Sequence, residues 1–146
     1  MDAAVEDFIA SKRLAIAGVS RSGTKFGNAA YKELRTRGFE VFQIHPEAET
    51  INGEPCYRNL SDLKGKVDGV VVSVPPAQAE KVLHDAAEAG VRNVWLQQGA
   101  ETPDLLTLGR DLDLNLVSGK CILMYAPPVR GFHGFHRFIA KLLGQL

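Results

Sequence analysis

The sequence predicts an α/β fold: a three-layer, doubly wound sheet of about five mainly parallel strands with helices on both faces. Three observations carry this expectation. Strand-like and helix-like segments alternate from end to end, with no low-complexity linker and no internal repeat. Residues 68–74 form a continuous run rich in β-branched side chains, which suits a strand covered on both faces. Glycines and prolines punctuate the ends of these segments, at Gly38, Pro46, Pro75-Pro76 and Gly90. At 146 residues the chain is one domain in length. We therefore expect residues 1–146 to be a single unit, with 122–146 as a C-terminal extension and closing helix.

Residues 4–11 read as a short leading helix, and 14–18 as the first buried strand. Ala29, Ala30 and Leu34 recur at helical spacing until Gly38, a residue suited to a left-handed helix end. Residues 40–44 give the second strand, stopped by Pro46. The stretch 47–66 reads as irregular, with a turn at Asn52-Gly53 and a helical turn from Ser61. After the strand at 68–74, Pro75-Pro76 interrupts the pattern. Ala79, Val82, Leu83 and Ala86 then mark a helix closed by Gly90. Residues 94–96 are a fourth strand. Thr102-Pro103 pairs a hydroxyl cap with a first-turn proline and starts a helix through Leu105 and Leu108. Residues 114–117 complete the five strands. From about Phe132 the pattern Phe135, Phe138, Ile139 and Leu142 predicts a closing amphipathic helix.

Composition narrows the function. Apolar residues make up 45% and charged residues 23%, and 17 basic residues balance 17 acidic ones. There is no global basic field to favour nucleic acid. No apolar run is long enough to span a bilayer, and the acidic N-terminus lacks a secretory core. Two cysteines do not make a disulfide framework, so a reduced, cytoplasmic setting is expected.

In such sheets ligands bind beyond the carboxyl ends of the strands, where strand order reverses. The segment LAIAGVSRSGTKFG, residues 14–27, places glycines, hydroxyls and two cations there. Backbone amides and the dipole of the following helix favour an anion, and Arg21 and Lys25 add charge. The spacing of Gly18, Gly23 and Gly27 fits neither a dinucleotide G-x-G-x-x-G nor a P-loop followed by Lys-Ser/Thr. At the end of the second strand, where NAD-binding folds carry an acid for the ribose, stands Ile44-His45-Pro46. The missing carboxylate leaves room for a phosphorylated ribose, as in NADP or coenzyme A.

Five segments in this order, GVSRSGTKFGNAAYKELRTRGFEVFQIHP, NGEPCYRNL, DGVVVSVPP, AGVRNVWLQQGAE and SGKC, resemble the small stand-alone CoA-binding proteins. Those are Rossmann-like domains similar to the nucleotide-binding domain of the succinyl-CoA synthetase alpha chain. The resemblance covers roughly residues 12–125. It implies a CoA pyrophosphate on the loop of Gly18, Val19, Ser20, Arg21, Ser22, Lys25, Phe26 and Gly27. It implies an adenosine ribose and 3′-phosphate along His45-Pro46, where His replaces the commoner Asn or Thr. It also implies an apolar wall at Val74-Pro75 and a closing W-x-Q-x-G made by Trp95, Gln97 and Gly99.

No carboxylate pair or nucleophile–base order stands out in the strand-end loops, so no catalytic residue is assigned. The expected function is binding of coenzyme A or an acyl-CoA, as a carrier, sensor or regulator. The alternatives are an NADP-dependent oxidoreductase and an interaction module with a degenerate nucleotide site. Cys121 reads either as a buried apolar thiol or as a reactive one at the pocket rim. Trp95 reads as core or as ligand contact. His133 and His136 lie three apart near the end, a weak basis for a metal site, and none is assigned. The aromatic spacing of the closing helix suggests a docking face or a homodimer contact.

Overall fold

Alternating burial along each central strand builds two cores, one on each side of a single sheet. In the computed structural model, which describes residues 3–128, Leu14, Ile16, Val71 and Trp95 enter one core. Ala15, Ala17, Val70, Val72, Val94 and Leu96 enter the other. The period of two along a strand produces this division, and both faces are covered because every one of these residues is apolar.

The elements are α1 (Ala3–Ile9), β1 (Arg13–Ala17), α2 (Phe26–Thr36), β2 (Glu40–Ile44), β3 (Thr50–Ile51) and β4 (Glu54–Tyr57). A 3-10 turn (Leu60–Leu63) leads to β5 (Gly69–Val72), α3 (Pro76–Ala89), β6 (Asn93–Gln97), α4 (Pro103–Asp111) and β7 (Asn115–Lys120). A second 3-10 turn spans Ile122–Met124. Helices α1 and α2 contribute Phe8, Tyr31 and Leu34 to the first core. Helices α3 and α4 contribute Ala79, Leu83 and Leu105 to the second. The result is the expected three-layer, Rossmann-like arrangement.

The sheet has seven strands in the order β3-β4-β2-β1-β5-β6-β7. β1, β2, β4, β5, β6 and β7 run parallel, and β3 is antiparallel to β4. The five strands expected from sequence are β1, β2, β5, β6 and β7. The hairpin β3–β4 is additional and falls within the stretch read as irregular. Its Asn52-Gly53 turn has positive φ at both residues, 52° and 77°, as a tight hairpin of this hand requires. Gln43 stitches the hairpin to β2 by donating to the carbonyls of Glu54 and Pro55, both at 3.4 Å.

One boundary differs from expectation for a physical reason. β5 ends at Val72, although the Ser73 amide still bonds the Ala17 carbonyl at 2.8 Å. Beyond it the prolines cannot donate to the ladder, so Val74 and Pro75 leave the sheet and lead into α3. Thr102 caps α4 as expected, its hydroxyl accepting from the Leu105 amide at 3.2 Å. The expected closing helix, with Phe132, His133 and His136, lies outside the described residues.

Candidate functional site

β2 and β5 flank β1 on opposite sides, so the strand order reverses beside β1. A cleft of about 860 Å³ opens at the carboxyl ends of these three strands. The first wall is the loop from β1 to α2: Gly18, Val19, Ser20, Arg21, Ser22 and Lys25 all line the cleft. The end of β2 contributes Ile44, His45 and Pro46, and the β5–α3 connection contributes Ser73, Val74 and Pro75. Arg58 and Asn59 enter from the end of β4, and Lys81, Val82 and Asp85 from α3.

The loop is held by close packing and by one buried amide. Gly18 has φ 123°, and a β-carbon there would collide with the carbonyl oxygen of Ser73. At Gly27 a β-carbon would sit 2.5 Å from the Gly18 carbonyl oxygen, so α2 starts in direct contact with the end of β1. Phe26 and Gly27 do not line the cleft, and α2 begins at Phe26. Their amides belong to the first helical turn, which has no intrahelical acceptors. Asn28, buried at 6% exposure, takes hydrogen bonds on Oδ1 from the amides of Ser20 (3.0 Å) and Lys25 (3.2 Å). Its Nδ2 donates back to the Ser20 carbonyl at 3.0 Å. The hydroxyls of Ser20, Ser22 and Thr24 run as a chain, with oxygens 3.1 Å and 2.8 Å apart.

Four cations and two carboxylates line the cleft. Arg21 faces Glu47 at 3.9 Å in an exposed pair, and Lys81 is held by Asp85 at 2.7 Å and by the Asn59 side-chain oxygen at 3.0 Å. Among the described residues, Lys25 and Arg58 have no carboxylate within 4.0 Å. His45 Nδ1 accepts from the amides of Glu47 (3.0 Å) and Ala48 (2.9 Å). In the neutral ring this leaves the hydrogen on Nε2, a donor. The arrangement offers cations, amides and hydroxyls together with the apolar surfaces of Ile44, Val74, Pro75 and Val82. Chemically it suits an anionic ligand with an apolar part.

Gln97 and Gly99 do not line this cleft. The Gln97 side chain is buried and accepts the Ile122 amide at 3.0 Å. Trp95 is fully buried, edge-on to Phe8 at 5.2 Å, and its Nε1 donates to the Lys120 carbonyl at 2.9 Å. Both side chains fasten the chain that leaves β7. Gly99, with φ 93°, gives its amide to the Glu101 carboxylate at 2.9 Å. Cys121 is half-buried at the start of the second 3-10 turn. Cys56 lies on β4, where burial pushes its thiol up. Among the described residues no group of three His, Cys, Asp or Glu side chains could hold a metal ion. None of the described helices is long and apolar enough to cross a membrane.

Sequence reading missed Asn28 and Arg58. Asn28 sits three residues after the helix N-cap, a position whose side chain can reach back to the cap amide. Arg58 had no comparable signal, because it follows the four-residue strand β4, which is too short to show a period.

The CoA binding domain family has a model that matches residues 12–127. The protein belongs to this family. As a CoA-binding domain it is similar to a solved conserved hypothetical protein of Pyrococcus furiosus: 34% identical, TM-score 0.72, covering 77% of this chain and 97% of that one. It is also similar to the ADP-forming acetate–CoA ligase of Methanocaldococcus jannaschii, 32% identical over 81 residues. That match takes in 56% of this chain but 12% of the ligase, so the domain spans a small part of that relative's length. The uncharacterized protein YneT of Bacillus subtilis, 22% identical, is comparable in size, the match covering 77% of this chain and 83% of YneT.

Proposed function

We propose that this domain binds coenzyme A or an acyl-CoA in the cleft between β2, β1 and β5, as a binding, carrier or regulatory protein without its own catalytic step. The observation that carries the reading is the union, in one cleft at the strand-order reversal, of a cation- and amide-bearing loop with an apolar wall. CoA is such a ligand: a pyrophosphate and a ribose phosphate joined to an adenine and a long pantetheine arm. In this reading the pyrophosphate rests on the loop of Gly18 to Lys25, near the first turn of α2. The ribose lies by His45-Pro46, and Val74-Pro75 form the apolar wall. Membership of the CoA-binding domain family supports the choice of ligand.

The test is calorimetric titration with CoA, acetyl-CoA, NAD and NADP, backed by thermal unfolding. Binding of CoA or acetyl-CoA with no response to NAD supports the reading. A response to NADP alone overturns it in favour of an oxidoreductase. No response to any of the four favours an interaction module.

A further inference from the structure

We propose that Arg58 reads the phosphate on the ligand's ribose and so makes this domain select 3′-phosphorylated CoA over its dephosphorylated form; the inference rests on the CoA reading above. Four observations lead to it. In Rossmann-like sheets the ribose hydroxyls fall at the end of the second strand, where an acid selects a bare ribose and a nearby Arg accommodates a phosphorylated one. Here β2 is followed directly by His45 rather than an acid. The neighbouring strand β4 then brings Arg58 to the same place, because the His45 amide bonds the carbonyl of Tyr57, the residue before Arg58, at 2.9 Å. Arg58 is exposed, lines the cleft and has no carboxylate partner among the described residues.

The other cations are placed for different work. Lys81 is engaged by Asp85 and Asn59, and Arg21 shares Glu47. Lys25, the remaining unpaired cation, follows β1, two strands away from β4. Two strand spacings are about 10 Å. A ribose carrying a 5′-pyrophosphate and a 3′-phosphate presents two anionic groups, one on either side of the sugar. Lys25 and Arg58, reaching inward from β1 and β4, can each meet one of them. A planar guanidinium suits the phosphate by pairing with two of its oxygens, and the His45 Nε2–H is a further donor at the same strand end.

The experiment measures affinities of CoA and 3′-dephospho-CoA for wild type, Arg58→Met and Arg58→Lys. The wild type is expected to prefer CoA by about tenfold or more. In Arg58→Met the preference collapses because CoA weakens while dephospho-CoA stays within about twofold. Arg58→Lys restores part of it. Among the described residues the Arg58 side chain has no hydrogen-bond or ion-pair partner, so unchanged thermal unfolding of the variants is expected and checks the fold. If CoA binds and the preference survives in Arg58→Met, this inference is overturned while the CoA reading stands. If wild type binds neither ligand, the CoA reading fails and takes the inference with it.

Discussion

Asn28 hydrogen-bonds both backbone groups of Ser20, its Oδ1 taking the amide and its Nδ2 giving to the carbonyl, each at 3.0 Å. One helical side chain therefore fixes the shape of a loop eight residues earlier. Asn28→Ala strands these groups and the Lys25 amide, and we expect a loss of about 2 kcal/mol in urea unfolding. Asn28→Asp keeps the acceptor and loses the donor, so it should fall between. Both variants should weaken CoA further than their stability loss implies, because the loop amides no longer converge.

Replacing the two cations of the same loop tests the anion seat without touching its frame. Arg21→Ala with Lys25→Ala should cost roughly 1–3 kcal/mol of CoA binding per charge-assisted contact. Titration at two salt concentrations should also show a shallower salt dependence in the double variant. Unchanged affinity would remove the pyrophosphate from this loop.

The contact between Gly27 and Gly18 leaves no space for a methyl group. Gly27→Ala is expected to destabilise by about 1–3 kcal/mol, since the neighbouring atoms are backbone rather than a flexible side chain. Thermal unfolding reads this directly. Gly53→Ala, at an open position, should cost less, and only through its positive φ.

Arg37 anchors the chain after β7. Its side chain is 8% exposed, its Nε bonds Glu33 at 2.9 Å, and Nη1 donates to the carbonyls of Leu123 (2.9 Å) and Ala126 (2.8 Å). Arg37→Met should cost about 3 kcal/mol, because it leaves two carbonyls and a carboxylate without their donor. Limited proteolysis followed by mass spectrometry should detect faster cleavage between residues 121 and 128.

At the opposite end of the sheet Arg13 pairs with Asp68 through two bonds, 2.8 and 3.1 Å. The hydrogen bond from Arg13 and its charge, opposed by partial burial, hold the Asp68 carboxyl below its usual range. A lowered carboxyl stabilises the fold above its unfolded value of about 3.9, and that stability disappears as pH falls through the folded value. Asp68→Asn should therefore be less stable at pH 7, by under about 1 kcal/mol for this half-exposed pair. The gap to wild type should close as pH falls through the folded value of the carboxyl. A gap independent of pH in urea melts would assign the loss to packing instead.

The layered sheet was legible because its strands announce themselves: Val70 to Val72 are β-branched, and Pro75-Pro76 and Thr102-Pro103 punctuate the helix starts. The hairpin β3–β4 was not, since two- and four-residue strands are too short to show a period, and Pro55 argues against a strand. The loop after β1, one wall of the cleft, was legible through its glycines and hydroxyls. Trp95 and Gln97 looked equally like pocket residues, yet each spends its polar atom on a backbone group at 120–122. Only the spatial neighbour separates such a role from ligand contact, and local sequence does not hold it.

The edge hairpin has a consequence for how the cleft could be altered. Arg58 stands where it does because β4, after the two-residue turn, pairs in register with β2, and a one-residue slip would reverse which way each β4 side chain points. Asn52, at the tip of that turn, lies 3.6 Å from where a β-carbon on Gly23 would be. Shifting the β2–β4 register by one residue should thus retune ligand choice while every residue around the ligand keeps its identity. With Arg58 as the reader of the ribose phosphate, selectivity would be held as strand register, at a distance from the atoms that express it.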